Sequence, residues 1–134
     1  MKKNGVLNGQ LSRIIASMGH TDRLAICDCG LPIPAGAEIV DLALSINIPR
    51  FLDTVGVVLE ELQVEAAILA EEIRTHSAPT YEALKALLDG VEIRWVSHDE
   101  FKSTAAANGN TAFVRTGEAT PYANVILVSG VSFG

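Results

Sequence analysis

Short apolar runs alternate along the chain with stretches of helical periodicity, and this alternation limits the possible folds more than any other feature. The runs RLAICD, VEAAILAEEI, VEIRWVSH, TAFVRTG and NVILVSGVSF have the length and the β-branched content of strands. Helical patterns lie between them, for example in LNGQLSRIIASMGH, SAPTYEALKALLDG and HDEFKSTAAAN. We therefore predict one α/β domain over residues 1–134, with a mixed, mostly parallel sheet covered by helices.

Some boundaries and element types stay open at this level. In the first helix Asn8 stands at the N-cap and Gly19 at the end, and Ser77 occupies the N-cap of the SAPTYEALKALLDG helix. EIVDLALSINIP fits a strand or a short turn. VEAAILAEEI fits a helix by its alanines and glutamates or a buried strand by its apolar core. We favour the strand, because it completes the β-α alternation.

The composition excludes several classes of partner. The 134 residues are 49% hydrophobic and only 19% charged, which indicates that other subunits cover part of the surface. The net charge of -6 makes nucleic acid and anionic membranes poor partners. No apolar run approaches the roughly 20 residues that span a bilayer, and no apolar signal region follows the two early lysines. We expect a cytoplasmic protein that associates with itself.

Two cysteines, Cys27 and Cys29, stand two residues apart in and after a strand-like run. This spacing points both side chains the same way in a strand and is unfavourable for a structural disulfide. We interpret them as reduced residues of the core or of the site's surroundings, and we expect no metal site, since a four-ligand site would need partners that the spacing does not supply.

The strand RLAIC has polar chemistry at both of its ends. His20 follows the helix-ending glycine and precedes Asp22 by two residues, which is compatible with an imidazole that a carboxylate orients for proton transfer. A surface histidine at the negative end of a helix dipole is the alternative. Asp28 ends the strand in apolar surroundings and needs donors or a ligand, although a loop-capping aspartate near Gly30 also fits.

A second pair of candidates follows the strand VEIRWV. His98 begins the HDEFK helix, and Lys102 lies one turn later on the same face, where a solvated surface is the alternative. Ligands of α/β sheets favour the carboxyl ends of strands. Asp28 and His98 are therefore candidates for one common site. His76 lies in a polar loop before a helix in this interpretation and receives no role.

The segment RTGEATPYAN adds hydrogen-bonding groups before the last strand. It holds Arg115, Glu118, Tyr122 and Asn124; a phenol and an amide can bind hydroxyls, and an aromatic ring can cover the apolar face of a sugar. The same residue types are also ordinary turn formers. Neither phosphate-loop motif is present, nor the G-x-S-x-G or H-E-x-x-H motif. The remaining groups suit proton transfer on an uncharged molecule rich in hydroxyls.

Several separated motifs together resemble the ribose/fucose mutarotase family over nearly the whole chain. They are VLNGQLSRIIASMGHTD, CDCGLPIP, GVVLEELQVEAAILAEEI, SHDEFK and RTGEATPYANVILVSGV, and CD-x-GLPIP with PYAN is more similar to the ribose branch than to the fucose branch. The resemblance implies an α/β fold in ring-shaped oligomers, for the ribose branch a decamer of two stacked pentamers with the site at a subunit interface. It also implies interconversion of the β-pyranose and β-furanose forms of D-ribose without a cofactor.

The same resemblance assigns roles to individual residues. It implies that His20 is the catalytic proton donor, and that the sugar is bound by Asp28, His98, Tyr122, Ala123, Asn124 and, as a weaker correspondence, Lys102. Two rivals stay open. A mutarotase for another sugar such as L-fucose would keep the histidine chemistry, and a non-catalytic module would bind ribose without changing its exchange rate.

Overall fold

The chain forms five helices and six strands within its described residues, and most of them fall where the sequence predicts them. The structure is a computed structural model that describes residues 1–107 and 109–134. In chain order the elements are α1 (Gly9–Ser17), β1 (Arg23–Cys27), β2 (Ile39–Asp41), α2 (Phe51–Leu59), β3 (Val64–Ala70), α3 (Ile73–His76), α4 (Ala78–Leu87), β4 (Glu92–Val96), α5 (His98–Ala107), β5 (Thr111–Arg115) and β6 (Val125–Ser129).

All six strands form one sheet in the order β2-β5-β1-β6-β3-β4. The pairs β2·β5, β5·β1 and β3·β4 are parallel, whereas β6 runs antiparallel to both of its neighbours, β1 and β3. Five strands therefore run in one direction and β6 runs in the other. The prediction of an α/β fold with a mixed, mostly parallel sheet is confirmed, and so is the strand interpretation of VEAAILAEEI.

Two apolar layers cover the two faces of this sheet. On β1, Leu24 and Ile26 pack in the layer shared with α1, α2 and α4, whereas Ala25 and Cys27 face the layer shared with α5. This alternation follows from the two-residue period of a strand. Because both faces of the central strands are covered, their polar residues are restricted to the strand ends, where the candidate residues Asp28 and His98 follow β1 and β4.

Helix ends differ in detail from the sequence-based expectations. Asn8 caps α1 as expected, by accepting a hydrogen bond from Leu11 N at 2.9 Å, but the helix already ends at Ser17. Ser77 makes no side-chain cap on α4; its hydroxyl donates to the carbonyl of Pro121 at 2.6 Å. The loop interpretation of His76 is wrong, because this residue ends the short helix α3.

A buried carboxylate, Glu118, joins the β5–β6 connection to the start of α2. It is 3% exposed and accepts hydrogen bonds from Phe51 N at 3.0 Å, from the Thr120 hydroxyl at 2.8 Å and from the Arg50 guanidinium at 3.1 and 3.2 Å. Its own carbonyl accepts from Cys29 N at 2.9 Å. Glu118 therefore fixes the connection beside the loop that follows β1.

We expect replacement of Glu118 by glutamine to destabilise the fold by about 2 to 3 kcal/mol at neutral pH, because a buried and paired charge is lost. Burial raises the pKa of this carboxyl, but the hydrogen bonds from Phe51, Thr120 and Arg50 lower it more, and the net shift is downward. A lowered pKa in the folded state stabilises the protein above the ordinary carboxyl pKa, and this contribution disappears as the pH falls through the folded-state value.

Urea unfolding of both proteins at pH 7 and at decreasing pH measures this effect. The difference in unfolding free energy between the parent and Glu118→Gln should become smaller below about pH 4. Glu82→Gln, an exposed position on α4, serves as the matched control and should change stability by less than about 0.5 kcal/mol. Equal stability of Glu118→Gln and the parent at pH 7 would contradict the role assigned to this carboxylate.

Candidate active site

A cavity of about 370 Å³ opens where β1 and β4 end and β6 begins. Because β6 runs opposite to the other strands, its first residue lies at the same edge of the sheet as their last residues. The cavity is lined by Asp28, Gly30, Leu31, Pro32, His98, Lys102, Pro121 and Tyr122. Four of the site residues predicted from the sequence are thus brought together.

Asp28 is held in place at the end of β1 by Asn124. The side-chain oxygen of Asn124 accepts from Asp28 N at 2.9 Å, and its amide nitrogen donates to Asp28 Oδ2 at 3.2 Å. The other carboxylate oxygen accepts from Gly30 N at 3.0 Å, as the loop-capping alternative anticipated. Asn124 is 1% exposed, so its contact with the cavity is made through Asp28. Ala123 is fully buried beside it.

Tyr122 lines the cavity beside His98, and its ring also contacts His76, which does not line the cavity. Its ring lies edge-on to His98 with centroids 4.9 Å apart, and it lies 5.4 Å from the ring of His76. The backbone of Tyr122 has φ 62°, a left-handed conformation that bulky residues adopt rarely and at an energetic cost. The hydrogen bond from Asn124 N to Tyr122 O, at 2.9 Å, holds this turn. The sequence pattern did not predict His76 at this position.

His98 is held at the cavity through its backbone. Its N–H donates to both carboxylate oxygens of Glu72 at 3.0 Å, which caps the start of α5. Among the described residues, His98 Nδ1 is buried and has no hydrogen-bond partner. Lys102, one turn later, lines the same cavity and lies 3.3 Å from Asp99 Oδ1. The cavity thus offers cationic, phenolic and carboxylate groups beside apolar walls.

Such a lining fits a small neutral molecule that has several hydroxyls. A carboxylate accepts hydrogen bonds from hydroxyls, whereas the lysine ammonium donates to oxygens. Leu31, Pro32 and Pro121 offer apolar contact to C–H groups. The volume lies within the range typical of small-molecule sites.

His20 lies at the opposite end of β1 from this cavity. Thr21, Asp22 and the five residues of β1 separate it from Asp28, and β1 alone spans roughly 15 Å at the rise of a strand. Its Nε2 lies 2.9 Å from Glu65 Oε2. The expectation that Asp22 orients this imidazole is wrong: Asp22 accepts from Gly19 N and from Asn110 Nδ2, both at 2.8 Å. Spacing along the chain favoured Asp22, whereas the sheet brings Glu65 closer.

Arg115 and Glu118 support the fold and do not line the cavity. Arg115 pairs with the carboxylate of Asp41 at 3.0 Å and donates to Cys29 O at 3.3 Å. Glu118 makes the buried contacts described above. Both side chains are thus paired within the fold, and of the four polar residues singled out in this segment only Tyr122 lines the cavity.

Residues 1–107 and 109–134 contain no group of three or more histidine, cysteine or acidic side chains that could hold a metal ion. Within the same residues, no helix is long and apolar enough to cross a membrane.

Both cysteines are free, and only Cys29 is partly accessible. Cys27 is completely buried, and its thiol lies 3.4 Å from Val114 O. The pKa of the Cys27 thiol is raised to about 12. Burial is the largest cause, and the negative charge of the neighbouring Asp28 is the second. Cys27 belongs to the core, as expected from the sequence.

We predict that Cys27 resists thiol reagents in the native protein, because the thiolate is the reactive form. In a Cys29→Ser variant, the native protein should react at least about a thousandfold more slowly at pH 8 than after unfolding in denaturant. A chromogenic disulfide reagent measures both rates. Rapid native-state labelling of this variant would contradict the burial of Cys27.

Comparisons with known proteins show the family of this chain. Residues 1–132 match the model of the RbsD / FucU transport protein family. A protein of Laribacter hongkongensis named D-ribose pyranase is 55% identical over 133 residues, which cover 99% of this chain and 100% of that protein. The structure of Bacillus subtilis RbsD complexed with D-ribose superimposes with a TM-score of 0.93 at 45% identity, covering 99% of this chain and 100% of the other.

A more distant structure shares the fold. The fucose mutarotase of Streptococcus pneumoniae in complex with L-fucose matches with a TM-score of 0.82 at 18% identity, covering 99% of this chain and 100% of the other. At that identity the likeness shows the architecture alone. The family match and the high identity over the full length of the relative together establish that this chain belongs to the RbsD / FucU transport protein family.

Proposed function

We propose that this chain is a D-ribose pyranase, an isomerase that interconverts the β-pyranose and β-furanose forms of D-ribose without a cofactor. The observation that carries the proposal is the cavity that brings Asp28, His98, Lys102 and Tyr122 together, in a chain 55% identical to a protein named D-ribose pyranase. A bound D-ribose in the structure at 45% identity supports the same substrate.

The reaction requires two coordinated proton transfers. A base removes the proton of the anomeric hydroxyl while an acid protonates the ring oxygen, and the C1–O bond of the ring breaks to give the open-chain aldehyde. Rotation brings a different hydroxyl to the carbonyl. Closure returns both protons and forms the other ring size, so no atom is gained or lost. Histidine suits both transfers, because its unperturbed pKa lies close to neutral pH.

Each cavity residue contributes a distinct part of this chemistry. Asp28 accepts hydrogen bonds from the sugar hydroxyls, and Asn124 holds its carboxylate at the edge of the cavity. His98 and Lys102 donate to sugar oxygens, and Tyr122 supplies its hydroxyl and the face of its ring. Ala123 contributes the buried backbone between Tyr122 and Asn124.

The proton donor, His20, comes from a second copy of the chain in this proposal. Within one chain it lies at the opposite end of β1 from the cavity. The sheet end near His20 carries apolar groups that one chain leaves exposed: Val131 is 41% exposed and Phe133 79% exposed. The carbonyl of Ser129, just before this segment, accepts from Thr21 N at 2.9 Å. If these apolar groups were buried against another copy of the chain, His20 would lie at the same contact.

A ring-shaped homo-oligomer meets this requirement, because the same contact repeats around a closed ring. We propose the decamer of two stacked pentamers that the sequence resemblance implies, with each site at a subunit interface. Leu44 and Ile46 are 80% and 67% exposed and provide further apolar surface for contacts between copies. A cytoplasmic location is part of the same proposal.

Proton NMR saturation transfer on equilibrated D-ribose tests the activity. Irradiation of the β-pyranose anomeric resonance should reduce the β-furanose resonance more strongly when a trace of the protein is present. The effect should exceed any enhancement of exchange on L-fucose. Replacement of His20 by alanine should slow the exchange by about 10² to 10⁴-fold, the usual contribution of a positioned acid-base group.

Three outcomes would contradict the proposal in different ways. Ribose that perturbs the spectrum of the protein without faster exchange would indicate a binding module. A stronger effect on L-fucose would indicate a mutarotase for another sugar. Exchange by His20→Ala at the rate of the parent would remove the role of the proton donor.

A further inference from the structure

The strand β3 contains an irregularity at Glu65, at the end of the sheet where His20 lies. Val64 pairs with Ser129 and Ala66 pairs with Val128, so Glu65 is an extra residue on its strand. Val64 and Ala66 are both buried, whereas Glu65 is exposed. A β-bulge of this kind re-aims one side chain and is frequent beside active sites.

The neighbouring chain segment leaves room for this side chain. A Cβ atom added at Gly130 would lie 3.2 Å from Glu65 Cβ and 3.4 Å from Glu65 N, which is tighter than ordinary contact. Gly130 also donates its N–H to Gln63 O at 2.9 Å, which keeps the end of β6 against the bulge. A glycine at this position thus permits the close approach of the two backbones.

The re-aimed carboxylate reaches the imidazole of His20. Glu65 Oε2 lies 2.9 Å from His20 Nε2, which is a normal hydrogen-bond distance. An ionised carboxylate only accepts hydrogen bonds, so Nε2 must carry the proton. In the neutral ring, Nδ1 then keeps the free lone pair.

The backbone of the His20 turn is held without help from Glu65. Thr21 has φ 71°, a strained conformation for a β-branched residue. Thr21 N donates to Ser129 O at 2.9 Å, and Ser129 N donates to Asp22 O at 2.8 Å. Within the described residues, the contact with Glu65 is the one hydrogen bond of the imidazole ring. Within one chain both side chains are partly exposed, Glu65 is the hydrogen-bond partner of the ring, and backbone hydrogen bonds hold the turn.

We propose that Glu65 is a positioning residue for His20, which holds the imidazole with Nε2 protonated so that Nδ1 exchanges the proton with the sugar. The inference rests on the catalytic role proposed for His20. The carboxylate faces the imidazolium from which Nδ1 gives its proton to the sugar, and the neutral ring that remains keeps its proton on Nε2. Carboxylates that accept from the far nitrogen of metal-bound histidines orient those rings in a similar way.

Long-range ¹H–¹⁵N NMR spectra of the full protein test the tautomer directly. The His20 signals are assigned by their loss in His20→Ala. In the parent at a pH where the ring is neutral, we expect the pattern of an Nε2–H tautomer. In Glu65→Ala, the fraction of the Nδ1–H form should increase. A parent protein in which neutral His20 carries its proton on Nδ1 would overturn the inference without any variant.

Exchange kinetics on ribose supply the second readout. Glu65→Ala should lower kcat by about 10 to 100-fold with little change in KM, since the ring is misplaced but the sugar pocket is intact. Glu65→Gln should recover part of the loss, because its amide oxygen still accepts from Nε2–H. Glu82→Gln on α4 is the matched control and should behave as the parent.

The two proposals fail in different ways. If His20→Ala is inactive but Glu65→Ala matches the parent in both kcat and tautomer, the role of Glu65 is wrong and that of His20 stands. If His20→Ala exchanges ribose normally, the role of His20 itself is wrong. A loss of kcat in Glu65→Gln as large as in Glu65→Ala, with an unchanged tautomer, would also contradict positioning.

Discussion

The antiparallel insertion of β6 between β1 and β3 places candidate site residues at two opposite edges of the sheet. The start of β6 meets the ends of the parallel strands, and this brings Tyr122 and Asn124 to Asp28. The end of β6 meets the start of β1, and this brings Ser129 and Gly130 to the turn of His20 and to Glu65. The strand β6 thus contacts the residues around the cavity at one edge of the sheet and the turn of His20 at the other.

The backbone has a left-handed residue at both of these edges of the sheet. Thr21 and Tyr122 each adopt a left-handed conformation, with φ 71° and 62°. Thr21 follows His20, and Tyr122 is itself a proposed site residue. Thr21 N donates to Ser129 O at the end of β6, and Asn124 N donates to Tyr122 O just before β6. Strain of this kind costs of order 1 kcal/mol or more per residue and persists only where the surroundings enforce it. The sheet supplies that support at both ends.

The distance between the cavity and His20 explains why one chain alone does not bring the proposed proton donor to the proposed sugar pocket. The cavity holds groups that bind hydroxyls, whereas the imidazole with an orienting carboxylate lies beyond the length of β1. The site shared between copies that we propose would combine them. It would also bury the exposed apolar side chains that follow β6.

Sequence reasoning located the cavity groups because a general rule applies to them. Asp28 and His98 follow the ends of parallel strands, and the rule that ligands bind at carboxyl ends predicted their proximity. It missed His76, because the short helix α3 has too few residues to show a period. It also paired His20 with Asp22 and did not identify Glu65, since pairing through a bulge depends on the register of the sheet.

Buried polar residues were hard to interpret from the sequence for a similar reason. The pairing of Glu118 with Arg50 joins residues far apart in the chain, and composition alone does not distinguish a buried ion pair from a ligand-binding group. The roles of the site residues came from the family resemblance and not from periodicity or spacing. The structure adds the two hydrogen bonds between Asn124 and Asp28.

The shared site can be tested most directly by mixing two defective chains. His20→Ala and Asp28→Asn proteins, each nearly inactive alone, are coexpressed and purified as mixed oligomers, and ribose exchange is measured by saturation transfer. If His20 of one copy serves the cavity of another, random mixing should restore about one quarter of the parent rate. If both residues serve a site within one chain, the mixture should show no activity beyond that of the separate variants, and the proposed sharing of the site between copies would be wrong.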